Sequence, residues 1–282
     1  MFIRYNKQCK FFILDETKMK RILALLLALL CLTLCVVGCS NEKANNEETT
    51  TTEGESEKKP VLKMATNAYF QPYEFYKDGQ IVGIDAEIAA AIAEYLGYEL
   101  VIEDMEFDTI ITAVKEGSVD FGMAGMTVTS DRLLEIDFSN SYATGVQSVI
   151  VKNDSAITKV DDLFADGATY KAGVQQGTTD DIYATGDLGE NRVTPYNNAN
   201  NAVLALIGGD VDCVIIDNEP AKALVAANSG LKILDTSYAD EDYAICVQKG
   251  NTELLNKINE AIVALTKDGT IDKIVAKYIP AN

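Results

Sequence analysis

From Pro60 onward, short and largely apolar runs alternate with helix-length segments, and this alternation leaves few architectures open. Val61–Ala65, Tyr98–Met105, Asp120–Gly125, Ser148–Lys152, Tyr170–Val174, Val211–Ile216, Lys232–Leu234 and Tyr243–Val247 read as buried strands. Helices are expected at Ala86–Leu96, with Asp85 as N-cap and Gly97 as stop, and at Asp108–Lys115, closed by Gly117. Further helical segments are Val160–Phe164, Thr179–Thr185, Ala199–Ile207, Glu219–Ala227, Thr252–Lys267 and Thr270–Tyr278. Strands that are apolar on both faces need cover on both sides, so the chain is expected to be α/β with helices flanking mostly parallel sheets. About nine short strands exceed a mean sheet of about 5–6, which points to two lobes.

Composition removes whole classes of function. The 282 residues include no His, and 24 Lys+Arg stand against 43 Asp+Glu, a formal net charge of −19. Without imidazole there is no Ser-His or Cys-His pair and no His-ligated metal. An acidic chain is also a poor partner for nucleic acid, whose binding rests largely on Lys and Arg. No His-dependent catalysis, no His-held metal, no cofactor and no nucleic-acid partner are therefore expected.

The charge is uneven. Residues 1–38 carry a net of +4, leaving −23 on the remainder. Lys20-Arg21 precedes an uncharged apolar run from Ile22 to Val37, shorter than the roughly 20 residues of a bilayer span. Residues 1–38 are therefore read as a signal peptide, starting at Met1 or at Met19. The run ends Val36-Val37-Gly38-Cys39, which resembles a bacterial lipobox with Cys39 as the lipidated residue. An uncleaved anchor is the rival reading. Residues 40–59 contain one Ala and no larger apolar side chain, so residues 39–59 are expected to be a lipidated Cys and a flexible tether. This organisation puts the folded part outside the cell, held at the outer face of the membrane. In the folded region, Cys213 and Cys246 read as two buried thiols, with a disulfide allowed by the compartment.

Open α/β sheets bind ligands at the carboxyl ends of strands, where following helices present free N–H groups. Those ends hold Asn67, Tyr69, Phe70 and Tyr73; Phe107; Gly125, Met126, Thr127 and Arg132; Gln175, Thr178 and Thr179; and Asp217. The inventory suits a small zwitterion. Arg132 can pair with a carboxylate in bidentate fashion, and the helix tip at Thr178 adds N–H groups and a positive dipole end. Asp217 can accept from an ammonium, and aromatic faces can grip a side chain. Each residue has a simpler alternative: Arg132 pairing with Asp131 or Glu135, Asp217 and Asp85 as helix caps, Phe70 and Phe107 as core. Asp180 and Asp181 would oppose a bound carboxylate unless they point outward.

The ordered set Tyr69-Phe70-Gln71-Pro72-Tyr73-Glu74-Phe75, Val82-Gly83-Ile84-Asp85, Ala124 through Arg132, Ile136-Asp137-Phe138-Ser139, Val174 through Thr179, Val214-Ile215-Ile216-Asp217 and Lys267-Asp268-Gly269-Thr270 resembles the amino-acid-binding proteins of ABC importers, solute-binding protein family 3. The likeness covers about residues 61–280. It implies a two-lobed fold of the type II periplasmic-binding-protein kind, with two hinge strands closing the lobes on a ligand. Lobe 1 would be 61–143 with 242–282, and lobe 2 144–241. It also implies that Arg132, Thr127 and the Thr178 and Thr179 amides take the ligand carboxylate, that Asp217 and the Gly125 carbonyl take the ammonium, and that Phe70 and Phe107 flank the side chain. The partners implied are a free amino acid and a membrane permease, with the receptor itself a monomer.

Binders of cationic amino acids in this family usually carry an acid where this chain has Asn67. Asn67 and Gln175 are neutral amides, so the side-chain reading leans toward a polar uncharged ligand such as glutamine. Met126 and Ile216 leave an apolar preference open. The alternative functions are a ligand-sensing domain of a signalling system and a dehydratase-like enzyme acting on a carboxylate, since a fold does not decide function.

Overall fold

A computed structural model describes residues 58–280 apart from Thr236. The signal segment, Cys39 and almost all of the tether lie outside the described residues.

The apolar runs become strands of a single mixed sheet. Its members are β1 (Val61–Thr66), β5 (Glu99–Asp104), β6 (Phe121–Gly122), β7 (Ile136–Lys152), β8 (Ala172–Gln175), β9 (Val193–Tyr196), β10 (Cys213–Asp217), β11 (Leu231–Ile233) and β12 (Ala239–Gln248). Their spatial order is β5-β1-β6-β12-β7-β10-β8-β9, with β11 beside β7. Two groups are internally parallel: β1 with β5 and β6, and β8 with β9 and β10. Between them the long strands β7 and β12 pair antiparallel, with register shifts around Tyr243, Ala244 and Cys246. A small antiparallel sheet is formed by β2 (Tyr69–Phe70), β3 (Glu74–Lys77) and β4 (Gln80–Val82).

The helices are α1 (Ile84–Leu96), α2 (Phe107–Glu116), α3 (Ser130–Glu135), α4 (Thr179–Leu188), α5 (Ala199–Gly208), α6 (Asn218–Ala227), α7 (Thr252–Lys267) and α8 (Thr270–Tyr278). Glycine closes several of them. Gly97, Gly117 and Gly209 adopt left-handed backbone after α1, α2 and α5, where a side chain would be strained. The apolar cores segregate by strand group. Met64, Ile88, Phe121, Ile245 and Ile262 belong to one cluster; Phe107, Ile110, Met126 and Cys246 pack nearby on the opposite face. Val149, Leu163, Val174 and Cys213 form a third cluster, and Val203, Leu206, Val214 and Ile216 a fourth.

Two expectations change. The strand read at Ser148–Lys152 is the end of the 17-residue β7, whose first part is masked in sequence by Ser, Asn, Gly and Gln. Asp85 is not the N-cap of α1. Gly83 holds that position, and the buried Asp85 reaches out of the first turn to accept from the Gly125 N–H at 2.8 Å and the Tyr142 hydroxyl at 2.7 Å. Cys213 and Cys246 are buried free thiols in different clusters, and burial pushes each thiol up to about 12.

One glycine on β7 is required by close approach. A Cβ on Gly145 would stand 2.2 Å from the Tyr243 hydroxyl and 2.9 Å from Asp217 Oδ1. Gly186, inside α4, faces open space. Gly145→Ala is expected to destabilise by about 1–3 kcal/mol through overpacking. Gly186→Ala should instead stabilise by about 0.5–1 kcal/mol through helix propensity. Thermal melts of the two variants would expose the opposite signs.

Candidate functional site

The carboxyl ends of β1, β8 and β10 open onto one cleft. Its walls carry Asn67, Phe70, Glu74, Phe107, Ala124, Gly125, Thr127 and Arg132 from one strand group, and Gln175, Thr178, Thr179, Asp180 and Asp217 from the other. Ten of the eleven ligand-site residues expected from the sequence are here. The exception is Met126. Its side chain is fully buried in the core with Phe107, Ile136 and Cys246, while its carbonyl accepts from the Ala244 N–H at 3.0 Å. The residues before and after it face the cleft, so Met126 is a core residue between two wall residues.

Arg132 is the centre of the site. It is 6% exposed and makes no ion pair with Asp131 or Glu135; Glu135 pairs with Lys115 instead. Its guanidinium donates to the Thr127 carbonyl at 2.7 Å and to the Gly177 carbonyl at 3.1 Å, and sits 5.4 Å from the Phe107 ring centroid. A guanidinium has five N–H donors in a rigid fork, so these two bonds leave donors for a carboxylate. Burial lowers its pKa while the charges of Glu241 and Asp180 oppose that shift.

Thr178 caps α4, accepting from the Asp181 N–H at 3.3 Å. The helix tip therefore presents the N–H groups and positive dipole end beside Arg132. Thr127 Oγ1 lies 3.4 Å from Thr179 Oγ1 and donates to Glu241 Oε2 at 2.8 Å; Glu241 also accepts from the Gln147 amide at 2.9 Å. Asn67 and Gln175 meet directly. The Gln175 amide donates to Asn67 Oδ1 at 3.0 Å, and Asn67 donates to the Met105 carbonyl at 2.8 Å.

Asp217 occupies the N-cap position of α6 but caps nothing, and its Oδ1 is buried without a hydrogen-bond partner. Capping therefore does not account for it. Burial and then the charge of Glu241 push its carboxyl upward, while the neighbouring Tyr243 hydroxyl pulls slightly the other way. Phe70 packs closely over Gly125: a Cβ there would meet the ring at 2.7 Å, and the backbone is left-handed. Glycine at 125 thus lets aromatic and strand end approach.

Three acids were not read as site residues. Glu74, Asp180 and Glu241 are 1%, 3% and 6% exposed. Asp180 turns inward, the arrangement in which it would oppose a bound carboxylate. Its Oδ2 accepts from Thr178 at 3.3 Å and its Oδ1 has no partner. Asp181 does turn aside, to the Gly177 N–H and the Thr185 hydroxyl. Glu74, at the start of β3, has both carboxylate oxygens buried, with the Asp85 carboxyl as its hydrogen-bonding neighbour. Burial and then Asp85 push Glu74 well above the usual carboxylate range, and burial with Asp217 and Glu241 does the same for Asp180.

The comparisons fit this geometry. The model of the bacterial extracellular solute-binding proteins, family 3, matches residues 62–281, and the chain belongs to that family. Among curated relatives, the arginine-binding extracellular protein ArtP of Bacillus subtilis (strain 168) is 30% identical over 92% of this chain and 98% of its own. The glutamine-binding protein GlnH of the same organism is 28% identical over 93% and 98%. An ancestral arginine-binding protein solved with glutamine superposes at a TM-score of 0.74, with 37% identity over 79% of this chain and 99% of that one. The fold is therefore that of two-lobed amino-acid receptors. Among the described residues, no helix is long and apolar enough to cross a membrane.

The buried acids carry a pH signature. In the unfolded chain carboxylates titrate near about 4, whereas Asp85 is pushed up to about 6 by burial and Glu74, Asp180 and Asp217 are also raised. The folded state holds more protons, so stability falls as pH rises from about 4 through these raised values. Asp137 and Asp162 are shifted down, but they are screened and act only below about 4. The ligand-free protein should melt lower at pH 8 than at pH 5, and Asp180→Asn should raise the pH 8 value. A melting temperature that climbs over that range would contradict the assignment.

Proposed function

We propose that this chain captures one free amino acid in the cleft and hands it to the permease of an ABC importer. The observation that carries the reading is Arg132, buried and without a carboxylate partner, lining one cavity with Asp217, whose buried Oδ1 makes no hydrogen bond. The ligand carboxylate takes the free donors of Arg132 with the Thr178–Thr179 helix tip, and the α-ammonium takes Asp217. Thr127, Gly125, Phe70 and Phe107 complete the enclosure. Relatives named for binding arginine, histidine, glutamine and cystine support amino-acid capture over catalysis.

The division into lobes, 61–143 with 242–282 and 144–241, follows the segregation of the cores, with β7 and β12 as the hinge. The receptor acts as a monomer, held outside the cell by a lipid on Cys39 after removal of residues 1–38. Cys39→Ser should release the protein into the medium; retention in the membrane fraction would favour an uncleaved anchor.

Arg132→Ala should weaken amino-acid binding about a hundredfold or more, because it removes one partner of a buried charge pair. Its thermal transition should persist. Unchanged affinity by calorimetry would remove the reading. Asp217→Ala should weaken binding of the amino acid more than binding of its desamino analogue, and equal losses would return Asp217 to a structural role.

A further inference from the structure

Thr127 faces two ways. It lines the cleft with Arg132 and Thr179, and its carbonyl accepts from the Arg132 guanidinium at 2.7 Å. Its hydroxyl turns to Glu241 on β12 and donates to Oε2 at 2.8 Å. Glu241 is 6% exposed and stands behind the cleft lining, opposite Gly145 of β7. Its Oε1 accepts from the Gln147 amide at 2.9 Å, so both oxygens act as acceptors, as those of a carboxylate do. Among the described residues no Lys or Arg forms an ion pair with it. The bonds from Gln147 and Thr127 are what satisfy it in direct contact.

A threonine hydroxyl has one proton to give. The Thr127 proton goes to Glu241, so toward the cleft this hydroxyl can only accept. Thr179 Oγ1, 3.4 Å from Thr127 Oγ1, is then the donor of that contact. Thr179, Thr127 and Glu241 form a chain that crosses between the two strand groups and ends on a hinge strand. On the amino-acid reading above, on which this inference rests, Thr127 and the helix tip at Thr179 serve the ligand's α-carboxylate. That group accepts and cannot donate, and it meets two hydroxyls whose protons are already directed at Glu241.

We propose that Glu241 is an internal competitor for the ligand's carboxylate: from the hinge strand it holds the Thr127 hydroxyl proton, and so limits how tightly the cleft retains an amino acid. It is a positioning residue that acts through Thr127 without touching the ligand. One proton serves one carboxylate at a time. When the ligand takes it, Glu241 Oε2 is left buried without its donor, and that cost is subtracted from the affinity. Such a device suits a receptor that must give its ligand up as well as capture it.

The test is calorimetric titration of the native protein, Glu241→Gln, Thr127→Val and the double variant with arginine and with glutamine, each protein first checked for its thermal transition. A neutral amide competes for a hydroxyl proton less well than a carboxylate, whichever way the amide is turned. Glu241→Gln should therefore bind the tighter of the two ligands about tenfold more strongly than the native protein, the worth of one hydrogen bond to a charged group. Thr127→Val should cost about tenfold in the Glu241→Gln background, where the hydroxyl serves the ligand, and about threefold or less in the native one. Unchanged or weaker binding by Glu241→Gln would overturn the proposal. So would a Thr127→Val loss of equal size in both backgrounds, which would mean that Glu241 acts through its charge alone. If Glu241→Gln loses its thermal transition, Glu241→Asp keeps the charge but withdraws the acceptor from Thr127. It should also tighten binding, and affinity at or below the native value there overturns the proposal as well. Failure of the folded native protein to bind any amino acid would instead refute the broader amino-acid reading.

Discussion

A buried guanidinium held by backbone carbonyls rather than by a carboxylate is the constraint on which the site depends. Arg132 draws one carbonyl from Thr127, on its own strand group, and one from Gly177, at the tip of α4. Carbonyl dipoles reduce the desolvation penalty of a buried cation without cancelling its charge. The compensating charge comes from Glu241 and Asp180, which act on Arg132 through space while keeping out of contact. The contact position is therefore open to an anionic group brought from outside, and the acids set the potential into which that group arrives.

The same bond pattern explains how two strand groups can close on a ligand. Hydrogen bonds already cross the cleft at Arg132–Gly177, Asn67–Gln175 and Asp108–Gln176, with Thr127 and Thr179 close to contact. Each is a polar contact of modest net worth, so closure on these alone is a shallow preference. A ligand that touches Arg132 on one side and the Thr178 tip or Asp217 on the other adds contacts that exist only when both sides are near. That differential contact is what a ligand needs to shift a conformational equilibrium.

Much of this arrangement is legible in the sequence, and the gaps have physical reasons. Buried parallel strands such as Cys213–Asp217 announce themselves as apolar runs, and the residue after the run falls at the cleft by topology. Arg132 and Thr178 are found in this way. The burial of the acids is the least legible part, because charged side chains are ordinarily exposed. Yet Asp180 lies on the stripe of α4 that continues through Ala184 and Leu188, four residues apart. Glu241 likewise precedes Tyr243, Ile245 and Val247 on the inward face of β12, at period two. Extending each apolar period one step into the acidic residues would have placed both. The sheet β2-β3-β4 has no such signal, since strands of two to four residues give no period to count, and the burial of Glu74 at the start of β3 is not legible from a period.

Buried, unpaired acids are a poor choice for stability. Apolar residues of similar volume at 74, 180 and 217 would remove several desolvation penalties and leave the surrounding cores untouched. Their presence means that the cleft holds free energy that only a charged occupant recovers, the familiar trade of stability for function. The rigid frame makes this tolerable. Gly125 and Gly145 allow Phe70 and Tyr243 to approach more closely than any side chain would permit, so the acids are walled by well-packed aromatic and aliphatic residues rather than by mobile loops. A site on such walls cannot relax its charges outward into water, so burial favours the protonated acids in the empty cleft, and a cationic group of the ligand is what draws them to the charged form.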